Sequence, residues 1–269
     1  MILFQYSRHG VHVDLRAGLA HGEGSDSIRE VEDVIGSSND DVILGNARGN
    51  LLAGGVIDGD EAPLGRDIFG GRQGIDFLFS GFCLGPTSEC PGGRVAGVGN
   101  DLLRGGQQRD LLGVSGYGNT AIGGRGSDDF WFRGQSTVLK GGLGTDSFAL
   151  LRGRAAVRGG SGIDHLSFSA TRWELAPGPA HVDLALGTAG TPTVQARVHG
   201  VENALGTAGD DVLLGDDMTN HLLGFDGNDQ LRGRAGDDSL DGGDGQDELI
   251  GGKGSDLCVN GETTKSCEH

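Results

Sequence analysis

The sequence predicts an all-β solenoid, a stack of coils made from nine-residue turn-and-strand units lying parallel to their neighbours. Three observations predict it. Glycine supplies 54 of 269 residues and aromatics only 5%, too little bulk for a thick globular core. Polar residues recur every nine positions as Asp211, Asn220, Asp229, Asp238, Asp247 and Asp256. Two places after each comes an apolar residue: Leu213, Leu222, Leu231, Leu240, Leu249 and, last, Cys258. A disordered Gly-rich linker has no reason to keep this register. Collagen needs glycine at every third place and more than six prolines.

The unit has a direct physical reading. Glycines at the first, second and fourth places permit a tight turn with positive φ. The last three places make a very short strand whose middle side chain points inward. Two units then form a coil of about eighteen residues, with parallel strands stacking on the coils before and after. One apolar residue per unit suffices as core.

The organisation follows in chain order. Residues 1–30 read as a truncated lead-in of longer strands, containing "HVDLRAG", and residues 31–79 carry the first nonapeptides around Asp41, Asn50, Asp67 and Asp76. Residues 80–96 are an insertion holding Cys83 and Cys90. A middle roll over 97–169 runs through Asp101, Asp110, Asn119, Asp128, Thr137, Asp146, Ala155 and Asp164. Residues 170–205 interrupt it with a proline-containing excursion and a second lead-in, since "HVDLALG" and "VENALGTAGDDVLLG" repeat "HVDLRAG" and "VEDVIGSSNDDVILG" from 169 or 170 residues earlier. The C-terminal roll spans 206–257, and 258–269 form a cap. The four cysteines read as two local disulfides, Cys83 with Cys90 and Cys258 with Cys267, in an oxidising compartment, although spacing alone leaves three pairings open.

The turns stack aspartates with few cations to meet them, since 21 Lys and Arg face 38 Asp and Glu at a net charge of −17. A hard divalent cation resolves this. Calcium takes six to eight oxygen ligands, and glycine turns offer carbonyls beside the carboxylates. The frames "GGLGTDSFA", "GGSGIDHLS", "GGDGQDELI" and "GGKGSDLCV" resemble the haemolysin-type calcium-binding repeat (RTX) family, with its G-G-x-G-x-D-x-U-x unit. The resemblance implies a right-handed parallel β-roll with several calcium ions held between turns eighteen residues apart.

The candidate ligands are Asp110, Asp128, Asp146, Asp164, Asp211, Asp229, Asp238, Asp247 and Asp256, with Asp101 at the head of the middle run and Asp41 and Asp76 from the shorter runs. The fourth-place glycines Gly126, Gly144, Gly162, Gly227, Gly236, Gly245 and Gly254 join them. In the middle roll the side carrying Asp101, Asn119, Thr137 and Ala155 loses its carboxylates, so a ladder is expected there on one edge only. An isolated Asp41 or Asp67 could instead cap its own turn.

Other chemistries find little support. The segment from Asp237 to Glu248 has EF-hand spacing, but its Gly-rich flanks cannot supply the helices. H-E-x-x-H, a nucleophile elbow and a P-loop are all lacking. The acidic charge disfavours nucleic acid, and no apolar run reaches membrane-span length. The expectation is therefore a non-enzymatic, secreted structural or secretion module that folds on meeting extracellular calcium. The alternatives are a carbohydrate-active solenoid enzyme, which needs carboxylates off the repeat register, and a cell-surface adhesin segment. The first ten residues lack the basic start and long apolar run of a signal peptide, and the chain reads as a fragment or the later part of something larger.

Overall fold

A computed structural model describes residues 1–57, 65–80, 82–83, 99–168 and 178–267, which contain strands and turns and no helix. The chain divides into two compact units, 1–144 and 145–269, a division that falls inside the expected 97–169 roll.

The first unit holds two rows of parallel strands. One row runs through His12–Asp14, Val42–Leu44, Ile68–Arg72, Leu102–Gln107 and Thr120–Arg125 to the second half of Asp129–Leu143. The other runs through Ile2–Leu3, Asp33–Ile35, Leu51–Ala53, Phe77–Phe79 and Leu111–Tyr117 to the first half of that strand. Successive partners from Leu102 onward are eighteen residues apart, as Leu102 with Thr120 and Leu111 with Asp129. Earlier the step lengthens. Val42 pairs with Ile68 (26 residues) and Ile68 with Leu102 (34 residues). The strand register is kept across these longer steps.

The second unit repeats the design. Asn203–Leu205, His221–Asp226, Ser239–Asp244 and Leu257–Val259 stack in one row, and Val212–Leu214, Gln230–Ala235, Glu248–Lys253 and Thr263–Lys265 in the other. The last step shortens to fifteen residues, from Glu248 to Thr263. Cys258 and Cys267 are disulfide-bonded there, with Cα atoms 5.7 Å apart. The expected Cys83–Cys90 pair lies outside the described residues.

Two sequence expectations need correction. Many strands exceed three residues, because they run on through the first glycines of the next unit; Asp129–Leu143 and Ser147–Ser161 each span fifteen. The lead-ins, expected as longer strands, are short antiparallel arms instead. His12–Asp14 turns back on Leu19–His21, and His181–Asp183 on Thr188–Thr191. An arginine ties each arm to the roll. Arg72 donates twice to Asp14 (2.9 and 2.8 Å) and to Gly45 O, and Arg234 does the same to Asp183 (2.9 and 2.8 Å) and Gly215 O. Both arginines occupy second places of nonapeptides and adopt φ of 80° and 83°, a conformation costly for any residue with a Cβ. For each, one bidentate pair and a carbonyl offset that cost. The Arg72 hydrogen bond holds Asp14 down at about 2.

The strand after each repeat position puts the side chain two places on into the seam. Leu213, Leu222, Leu231, Leu240 and Leu249 are fully buried, as are Leu103, Leu112, Phe130 and Leu139 in the first unit. A seam one residue deep leaves nothing to fill a gap, so Leu231→Ala is expected to destabilise the calcium-loaded protein by about 2–5 kcal/mol. Urea unfolding at saturating calcium measures it, and a loss within error of zero would mean the seam is not the core.

Candidate metal centre

The repeat aspartates are buried. Asp76, Asp146 and Asp164 have no exposed surface, and Asp110, Asp211, Asp229 and Asp256 are 1% exposed. They turn inward because the glycine turn folds over them, and the strand that follows starts at the next residue. Each carboxylate reaches back to the coil before. Asp229 Oδ1 accepts from Asp211 N (2.7 Å), Asp247 Oδ1 from Asp229 N (2.8 Å), and Asp256 Oδ1 from Asp238 N (3.0 Å). In the first unit Asp128 accepts from Asp110 N and Asp110 from Asp76 N, and in the second Asp164 accepts from Asp146 N. The structure thus brings the predicted aspartates into ladders.

Asp41 and Asp67 belong to one as well. Asp41 N donates to Asp67 Oδ1 and Asp67 N to Asp101 Oδ1, both at 2.9 Å. They are not isolated; the 26-residue spacing between them hid the register. Asp41 also caps its own turn, accepting from Ser37 N and Oγ, and Asp211 does the same with Thr207. Both oxygens of these two entry aspartates are satisfied.

Further along the ladders one oxygen is not. Oδ2 of Asp76, Asp110, Asp164, Asp229, Asp238, Asp247 and Asp256 is buried with no hydrogen-bond partner. A buried, unpaired carboxylate oxygen is expensive. Burial accordingly drives the carboxyls upward. Asp67 and Asp110 rise to about 8 and Asp229 to about 7; Asp76, Asp101, Asp128, Asp164 and Asp238 rise to about 6. Asp41 and Asp211 are raised by burial too, against the pull of their own hydrogen bonds.

Beside each orphaned oxygen, at the first-place glycine of its turn, stands a backbone carbonyl. A Cβ on Gly224 would meet Asp229 Oδ2 and the carbonyl of Gly242; one on Gly233 would meet Asp238 Oδ2 and Gly251 O. These first-place glycines are what the sequence reading missed, and the leading G of each G-G-x-G-x-D was the signal for them. The predicted fourth-place glycines Gly126, Gly144, Gly162, Gly227, Gly236, Gly245 and Gly254 all have positive φ, from 109° to 156°. They stack on the coil before, as Gly245 does on the carbonyl of Gly227. No ion pair among the described residues reaches Asp110, Asp229, Asp238, Asp247 or Asp256.

Hard, anionic and carbonyl oxygens in a glycine cradle fit calcium. The described residues form no group of three or more His, Cys, Asp or Glu side chains suited to a metal. A cation would therefore be held by one carboxylate per turn together with backbone carbonyls, and would supply positive charge to the orphaned Oδ2 atoms.

The opposite side of the middle roll differs. Asn119 Oδ1 accepts from Asp101 N at 2.9 Å while its Nδ2 donates to Ser115 O, so this amide is satisfied. At Thr137 and Ala155 the long strands run through without a turn or a carboxylate. Among the carboxylates off the register, Asp14 and Asp183 are engaged by arginines and Glu32 by Arg48 at 2.7 Å.

A family model of the RTX calcium-binding nonapeptide repeat (four copies) matches residues 95–112 and 223–258. No curated protein matches the chain. The second matched stretch covers the ladder turns of Asp229, Asp238 and Asp247 and extends past Asp256, so sequence family and site geometry coincide. No helix among the described residues is long and apolar enough to cross a membrane. The chain carries the haemolysin-type RTX calcium-binding repeat on an all-β, parallel β-roll.

Proposed function

We propose that this chain is a secreted module that folds when it meets extracellular calcium, the ions occupying the aspartate turns. The orphaned Oδ2 row carries the reading. Without a cation, the oxygens of that row are buried with nothing to meet them. With calcium, the same oxygens become ligands, and binding to the folded state alone stabilises it. The ligands in this reading are Asp76, Asp110, Asp128, Asp146, Asp164, Asp229, Asp238, Asp247 and Asp256 with their glycine turns. Asp101 stands on a side that passes to Asn119, and Asp41 and Asp211 are weaker ligands because their own turns satisfy them. In the middle roll the ions line the Asp110 and Asp164 side and leave Thr137 and Ala155 bare. Glycine turns of low rigidity suit affinities of extracellular modules, roughly 10⁻⁴–10⁻³ M, which cytosolic calcium does not fill.

The test is far-ultraviolet circular dichroism during calcium titration of chelator-treated protein, with magnesium as control. A cooperative gain of strand signal with calcium alone is expected. Full strand signal in chelator would refute folding on binding.

A further inference from the structure

The ladders must end, and they end in the same way twice. Inside a ladder, the aspartate eighteen residues on accepts the N–H of the aspartate before it. The residue after the accepting aspartate then donates to the first aspartate's carbonyl, as Gln230 N does to Asp211 O at 2.9 Å. Eighteen residues beyond Asp164 and Asp247 stand Val182 and Lys265, which offer no carboxylate. In their place Asp164 N donates to Glu202 Oε2 at 2.8 Å, and Asp247 N to Glu262 Oε2 at 2.6 Å. Asn203 N then donates to Asp164 O, and Thr263 N to Asp247 O, both at 3.0 Å.

The carbonyl half of the turn is reproduced too. A Cβ on Gly159 would meet Asp164 Oδ2 and Gly200 O, and one on Gly242 would meet Asp247 Oδ2 and Asn260 O. Gly200 and Asn260 each precede the glutamate by two residues, and both are left-handed, with φ of 60° and 52°. A three-residue turn, left-handed residue–x–Glu, therefore replaces the six-residue G-G-x-G-x-D turn. It keeps the carbonyl, the carboxylate and both backbone bonds. The longer glutamate side chain spans what the shorter turn cannot. Asp164 is fully buried and Asp247 is 2% exposed, and Oδ2 of each is unpartnered and faces this turn.

From this we infer that Glu202 and Glu262 are calcium ligands, each completing the last ion site of its ladder. The inference rests on the calcium reading above. A purely structural cap would need only a hydrogen-bond acceptor for the aspartate N–H, and glutamine supplies that without the charge. A third turn of this kind, Glu30–Val31–Glu32, has Glu30 at φ 57°, but its Glu32 pairs with Arg48. It serves as the control.

Calcium bound per chain is counted by equilibrium dialysis of the full chain, with strand signal checked in saturating calcium. Glu202→Gln and Glu262→Gln are each expected to bind one calcium fewer with unchanged strand signal, and Glu32→Gln the full number. Unchanged counts and affinities in both glutamine variants would make these residues structural caps and overturn the inference alone, as would an equal loss in Glu32→Gln. An unaltered chain that binds no calcium would bring down the calcium reading beneath it. If one variant fails to regain strand signal in calcium, the other decides.

Discussion

Stripped of calcium, the protein is expected to be more stable at pH 5 than at pH 8, and loaded with calcium the order should reverse. Burial raises Asp67 and Asp110 to about 8, Asp229 to about 7 and five further aspartates to about 6, against 3.8 for a solvated carboxyl. The metal-free fold therefore holds protons that the unfolded chain releases. Its stability falls wherever the folded state binds the more protons. That contribution is complete below about pH 4 and is lost as pH climbs through 6 to 8. Acid also relieves the net charge of −17, which acts in the same direction. With calcium at saturation, protons compete for the same oxygens, so acid destabilises. Strand signal and thermal unfolding at both pH values, with calcium and with chelator, compare the four conditions, and the metal-free chain at pH 8 is the one expected to lack the fold. A metal-free protein that gains stability from pH 5 to pH 8 would show that the ladder carboxylates are not the buried charges described.

Asp229→Asn should have opposite effects in the two states. An asparagine fits a ladder position already: Asn220 Oδ1 accepts from Asp216 N at 2.7 Å while Nδ2 donates to Glu202 O at 2.9 Å. A neutral amide at 229 could accept from Asp211 N and donate to carbonyls of its turn, and nothing there would need protonation. With Asp229 raised to about 7 from 3.8, removing the charge should stabilise the metal-free fold by on the order of 3–4 kcal/mol at pH 7. Calcium loses an anionic ligand, and the midpoint of its titration should rise about tenfold, a change of roughly 1.4 kcal/mol. Asp229→Ala serves as the contrast, since it loses the acceptor as well and should destabilise both states. An asparagine variant weakened equally with and without calcium would mean the carboxylate serves packing and hydrogen bonding alone.

Much of this was legible in the sequence because period and burial are the same fact here. The nine-residue beat at Asp211, Asp229 and Asp247 gives the eighteen-residue bonds directly, and the leucines two places on give the seam. Asp41 and Asp67 looked isolated because eight extra residues separate them from an eighteen-residue step (26 − 18), and periodicity cannot see through a loop. The clamping arginines escaped because Arg72 and Arg234 stand where glycine is expected, and their partners lie 58 and 51 residues away. Glu202 and Glu262 escaped for a related reason. They perform an aspartate's task from a shorter turn, out of phase with the repeat. The orphaned oxygens were invisible as well, since a sequence can list a carboxylate but not count its hydrogen bonds.

The bonds from the N–H of one repeat position to the carboxylate of the next in its row all run one way. In each, the later coil supplies the oxygen and the earlier coil the N–H, from Asp211 to Asp229 to Asp247 to Glu262. A turn is therefore finished only by chain that comes after it, and the stack has a polarity. From Asp211 through Asp247 each repeat N–H depends on the coil after it, and Glu262 supplies that oxygen from a shorter turn, so damage to a later turn passes toward the earlier ones.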